Sequence, residues 1–102
     1  MDAIVQAKRV LEIFKEMSQI PRGSGNEKGI SDYIINSAHN LGLEATQDRE
    51  WNVVIKKPAT PGYENRPSVI LQGHIDMVCV KGHDSSHDFT KDPIANIIEG
   101  EW

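Results

Sequence analysis

The sequence predicts an α/β fold in which two amphipathic helices precede the strands of a mixed sheet. Three observations carry that reading. Apolar residues recur at helical spacing twice before Gly42, β-branched and wholly apolar runs follow, and Pro/Gly-rich or polar stretches separate those runs. A length of 102 residues favours one domain with a modest core.

From Ala3 to Ser18, Ile4, Ala7, Leu11, Phe14 and Met17 fall at three- and four-residue steps, with Lys8, Glu12, Lys15 and Glu16 between them. This pattern predicts a helix that packs one stripe on a core. Pro21 ends it, because proline disfavours helical geometry in the residue before it. Ser24-Gly25-Asn26-Glu27 reads as a capping box, and the second helix carries Ile30, Tyr33, Ile34, Ala38 and Leu41 on one face. Gly42 is placed to end that helix in the left-handed conformation.

Two short strands are expected at Leu43 to Gln47 and Asn52 to Lys56, the second carrying Val53-Val54-Ile55. Pro58, Pro61, Gly62 and Pro67 make a loop of the next segment. Ser68 to Gly73 is almost unbroken apolar sequence, which suits a central strand covered on both faces. Lys81 to Pro93 is polar, and Ile97-Ile98-Glu99-Gly100-Glu101-Trp102 predicts a hairpin turning at Glu99-Gly100. No third helix is available to cover the second face of the sheet. The fold class is therefore α/β but incomplete, with an uncovered sheet through which the chain could self-associate.

Composition narrows the function. At 38% hydrophobic and 25% charged residues the chain reads as globular. A net charge of -4 with no basic stripe argues against a nucleic-acid partner. No run approaches transmembrane length, so no membrane partner is expected. Cys79 is the single cysteine, which rules out an internal disulfide and fits a reducing compartment. No basic region precedes an apolar stretch at the amino terminus, and the cytoplasm is the expected location.

The chemistry concentrates in Gly73-His74-Ile75-Asp76-Met77-Val78, at the end of the apolar run. An imidazole and a carboxylate two residues apart beyond a strand are placed as a metal ligand and its orienting partner would be. The alternative is a satisfied histidine at a strand end. A second cluster, His83-Asp84-Ser85-Ser86-His87-Asp88, could add ligands, but Gly82, Ser85 and Ser86 favour a solvated loop whose Asp and Ser side chains cap local turns. Gly23 to Gly29 lacks the spacing of a phosphate cradle and follows a helix where it should follow a strand. Cys79 has no evident base beside it. Trp51 and Trp102 read as packing anchors.

Five blocks in order carry a resemblance. They are Ser18-Gln19-Ile20-Pro21-Arg22-Gly23-Ser24-Gly25-Asn26-Glu27; Asn52-Val53-Val54-Ile55-Lys56-Lys57-Pro58-Ala59-Thr60-Pro61-Gly62; Leu71-Gln72-Gly73-His74-Ile75-Asp76-Met77-Val78; His87-Asp88-Phe89-Thr90-Lys91-Asp92-Pro93-Ile94; and Glu99-Gly100-Glu101-Trp102. Together they resemble the amino-terminal part of the M20 metallopeptidases, in the aminoacyl-histidine dipeptidase branch, the cytosol non-specific dipeptidases. The resemblance implies a catalytic domain that holds two divalent metals, usually zinc, and hydrolyses dipeptide substrates. It implies that His74 ligates one metal and that Asp76 hydrogen-bonds and orients that imidazole. It assigns His83 and His87 no metal role. It places the bridging aspartate, the glutamate base and the remaining ligands beyond Trp102. Residues 1–102 are thus expected to be the amino-terminal portion of the catalytic domain, with one ligand of its own and no activity alone. A non-catalytic association module built on the same segment is the alternative.

Overall fold

A computed structural model describes residues 2–100 of the chain. Helix α1 spans Ala3–Ser18 and helix α2 Lys28–Asn40, followed by strands β1 (Glu44–Gln47) and β2 (Val53–Lys56). The strands pair antiparallel, with Glu44 opposite Lys56 and Gln47 opposite Val53. Both helices and both strands lie where the sequence predicts them; α1 and the two strands begin within a residue of their expected starts, whereas α2 begins three residues after the Gly25 that a cap at Ser24 implies.

Local chemistry sets most boundaries. Asp2 caps α1, its carboxylate accepting from the Ile4 amide at 2.7 Å. Gly42, at φ 74°, closes α2: its amide donates to His39 and the Leu43 amide donates to Ala38, which is the Schellman arrangement. The expected capping box does not form. Glu27 is itself the N-cap and makes no side-chain cap bond; its carboxylate accepts from the Gly25 amide at 2.6 Å instead. The Ser24 hydroxyl, four residues ahead of the helix, donates to a carboxylate elsewhere in the chain.

The β1–β2 turn is organised by Asp48. One carboxylate oxygen accepts from the backbone amides of Glu50 and Asn52, both at 2.9 Å, and the other from the Asn52 side-chain amide. Within this turn Trp51 takes φ 67°, a left-handed conformation that costs a side-chain-bearing residue on the order of 1 kcal/mol or more. A polar network docks the hairpin onto α2. The Gln47 side-chain amide donates to the buried Ser31 hydroxyl at 2.7 Å and to Asp32 at 3.0 Å, while Lys28 pairs with Asp32 at 2.6 Å.

Packing beyond this unit is thin. Ile30 and Ala38, both on α2, are the fully buried apolar residues among those described. The stripe of α1 is not packed as expected: Ile4 and Phe14 are exposed, and Leu11 and Met17 are only half-buried. Residues 68–73 form no strand, correcting the expected central strand, and Val69, Ile70 and Leu71 are 82–93% exposed. The reason is physical. A central strand needs a hydrogen-bonding neighbour on each side and cover on both faces, and no element among the described residues supplies them. The observed sheet is therefore two-stranded and antiparallel. Ile97 and Ile98 are in no strand either, and the remainder of the expected hairpin, Glu101 and Trp102, lies outside the described residues.

Two global measures agree. The radius of gyration is 16.7 Å, against about 13 Å for a compact chain of this length. The accessible surface is 8825 Å², against about 5,800 Å² for a folded protein of this mass.

A long-range bridge holds the segment that carries His74 and Asp76 to the loop between the helices. Gly23 and Met77 form an isolated parallel bridge, in which the Met77 amide donates to Arg22 at 2.8 Å and the Ser24 amide donates to Met77 at 3.1 Å. Gly23 is buried there, and a Cβ at this position would overlap the Cys79 sulfur.

Two outcomes follow from these contacts. Gly23→Ala is expected to cost about 1–3 kcal/mol through overpacking, and Cys79→Ala to relieve part of that cost; thermal melts of the two single variants, the double variant and the parent check it, and strict additivity contradicts it. Hydrogen bonds from Asn52 hold the Asp48 carboxyl below its ordinary value. Its stabilisation of the turn is accordingly complete above the unfolded-state value and is lost only as pH falls through the lower folded-state value. The Glu50 and Asn52 amide resonances should stay constant from neutral pH into the ordinary carboxylate range and move only below it, and Asp48→Asn should abolish that movement.

Candidate active site

The sequence motif lies where the bridge holds it. Backbone pairing at Met77 places Asp76 against the loop between α1 and α2, and His74 two residues earlier extends from it into an open cleft. The His74 Nδ1 lies 2.8 Å from Asp76 Oδ1. The Ser24 hydroxyl donates to Asp76 Oδ2 at 2.5 Å, so both oxygens of this carboxylate are engaged.

Electrostatics follow from that arrangement. The Ser24 hydroxyl, and next the His74 imidazole, hold the Asp76 carboxyl below the ordinary carboxylate value. The group therefore remains an acceptor at any pH near neutrality. A carboxylate facing Nδ1 favours the tautomer with the proton on that nitrogen, which leaves the lone pair on Nε2. The imidazole is 81% exposed, and among the described residues nothing hydrogen-bonds Nε2. This is the donor arrangement a histidine ligand requires, so His74 fits a metal as one ligand. Among the described residues, no group of three or more His, Cys, Asp or Glu is arranged to hold a metal ion.

The cleft beside His74 measures about 450 Å³, within the range of small-molecule sites. Its walls include Glu27, Trp51, Asn52, Gln72 and Asp76. The strained turn delivers Trp51 to this wall, and the Lys28 ammonium lies 5.4 Å from the centre of its ring. The sequence reading took Trp51 as a packing anchor; it is half-buried and lines the cleft as well. The signal that could have found it was the Asp48-to-Asn52 turn, whose side chains cap backbone amides on both sides of the tryptophan.

The second histidine cluster is separate. His83 and His87 lie in an irregular loop, where the His87 amide donates to the Ser85 hydroxyl and Asp88 accepts from Thr90. His87 packs edge-on against Phe89 with ring centres 4.7 Å apart. That is the loop of local turns the sequence predicts. Cys79 is exposed, with its sulfur near Gly23 and 3.9 Å from the Met77 carbonyl oxygen.

Comparison with known proteins gives the same direction. No family model matches the chain. It is 46% identical over 91 residues to the cytosol non-specific dipeptidase of Escherichia coli, covering 89% of this chain and 19% of that protein. A LysW-lysine/LysW-ornithine hydrolase, so named provisionally, from Pyrococcus furiosus is 29% identical over 75 residues, covering 74% of this chain and 22% of its own. The crystal structure of aminoacylhistidine dipeptidase from Vibrio alginolyticus superposes with a TM-score of 0.82 at 47% identity, over 89% of this chain and 19% of that one. The chain thus spans about a fifth of the length of the proteins it matches. No helix among the described residues is long and apolar enough to cross a membrane. With 46–47% of the aligned residues identical to those dipeptidases and its backbone shared with one of them over 89% of its length, the chain belongs to the M20 family, in its aminoacyl-histidine dipeptidase branch.

Proposed function

We propose that these residues supply one metal-binding corner of a zinc-dependent dipeptidase that works in the cytosol on dipeptides such as aminoacyl-histidine. The observation that carries this reading is the His74–Asp76 pair, with Nδ1 engaged and the residue lining a cleft of small-molecule size. Similarity to two dipeptidases supports the substrate class.

In this reading His74 holds one of two divalent metals through Nε2, and Asp76 fixes the ring and strengthens its donor nitrogen. A metal held there would supply Lewis-acid polarisation of a peptide carbonyl and a lowered pKa for bound water. Gly73, with open space around its α-carbon, lets substrate approach the backbone beside the ligand. The other ligands and the general base are supplied by residues that the family resemblance places beyond Trp102. Residues 1–102 accordingly form the amino-terminal portion of the catalytic domain and hydrolyse no dipeptide by themselves.

A second reading is a non-catalytic association module. It is favoured by the exposed run Val69-Ile70-Leu71 and by accessible surface about 3,000 Å² above that of a compact protein, an amount comparable to a large obligate interface. Sedimentation equilibrium of the 102-residue chain discriminates: a specific dimer supports association, and a well-behaved monomer contradicts it.

Zinc titration and dipeptide hydrolysis by the full-length protein test the primary reading. His74→Ala is expected to lower zinc affinity and kcat/KM by at least about 100-fold, Asp76→Ala by roughly 10–100-fold, and His83→Ala by less than about twofold. Equal losses from His83→Ala and His74→Ala would assign the site to the loop histidines instead, and an unaltered zinc dependence in His74→Ala would sink the proposal.

A further inference from the structure

We propose that Ser24 is a positioning residue for His74, acting through Asp76. The inference rests on the dipeptidase reading and extends it to a residue from a different part of the chain.

The argument begins with what a carboxylate needs in order to orient a histidine. Asp76 lies in a segment without regular structure and is only partly buried, its side chain 32% exposed. One hydrogen bond to Nδ1 leaves the carboxylate free to rotate about its own bond to the chain, and the imidazole is then free to tilt or exchange tautomers. A donor on the second oxygen removes that freedom. The Ser24 hydroxyl is such a donor, 2.5 Å from Oδ2 while Oδ1 faces His74.

Three further observations show that the contact is built into the fold. The Ser24 amide and the Met77 amide form the two bonds of the bridge, so the Ser24 backbone is fixed beside the residue that follows Asp76. Gly23 is buried against the Cys79 sulfur, which lets the loop approach this closely. The hydroxyl also has no helix to cap, because α2 begins four residues later at Lys28 and carries no side-chain cap bond. Its other contact, Met77 O at 3.5 Å, is long. The carboxylate 52 positions away is thus its one short partner among the described residues.

The test reads the tautomer of His74 in the full-length, metal-free protein, labelled with ¹⁵N at histidine and held at about pH 8, where an ordinary imidazole is neutral. Long-range proton–nitrogen correlation distinguishes a proton on Nδ1 from one on Nε2. His74 is expected to carry its proton on Nδ1, and Asp76→Ala, which removes the acceptor, sets the scale of its loss. Ser24→Thr and Ser24→Val have the same shape and differ in the hydroxyl alone. Thr should keep the parent pattern, whereas Val should shift toward the Asp76→Ala pattern and lower zinc affinity about tenfold. Any cost of the added methyl is common to both variants, so their comparison survives a general loss of stability. Indistinguishable Thr and Val spectra, or a parent His74 protonated on Nε2, would overturn the role of Ser24. Failure of the dipeptidase reading would appear separately, as zinc binding indifferent to His74→Ala.

Discussion

The bridge between Gly23 and Met77 is the constraint on which the site depends. Helix α2 and the hairpin form one unit, packed around Ile30, Ala38 and the Gln47–Ser31–Asp32 network. The segment carrying His74 and Asp76 has no strand and little burial of its own. Two backbone hydrogen bonds, from Met77 to Arg22 and from Ser24 to Met77, transfer the rigidity of the first unit to the second. A third contact reinforces them where Ile94 donates to the carbonyl of Ser18 at the end of α1.

That dependence explains which parts of the molecule were legible in the sequence. Helices and hairpin strands are local, and their signals are local too: a stripe at helical spacing, a glycine at the left-handed cap, a β-branched run. The misreadings have a common origin in partners distant along the chain. Ser24 satisfies every local criterion for a capping box, yet α2 begins beyond it at Lys28 and its hydroxyl donates a charge-assisted hydrogen bond to a carboxylate 52 residues away. Val69-Ile70-Leu71 has the composition of a central strand, but composition cannot provide the neighbours a strand pairs with. The apolar stripe of α1 is likewise a genuine pattern without a surface to pack on among these residues.

The candidate site divides along the same line. The His74 and Asp76 pairing was legible because a two-residue spacing at the end of an apolar run is itself local. Its grip by Ser24 and its neighbour Trp51 were not, since both come from turns whose closeness to residue 76 is a property of the fold. The loop histidines show the reverse case. His83 and His87 have suggestive spacing, but the segment that carries them is a series of local turns in which His87 packs on Phe89.

The length of chain closed by the bridge has a further consequence for how the site forms and fails. Fixing contacts 52 residues apart costs about 3–4 kcal/mol of loop-closure entropy beyond a constant term, and few buried contacts offset it. The helices form from near neighbours in sequence, so the long closure comes late in folding and opens early in unfolding. Helical signal and site geometry are therefore separable: the molecule can retain its full ellipticity while the imidazole has already lost its orientation.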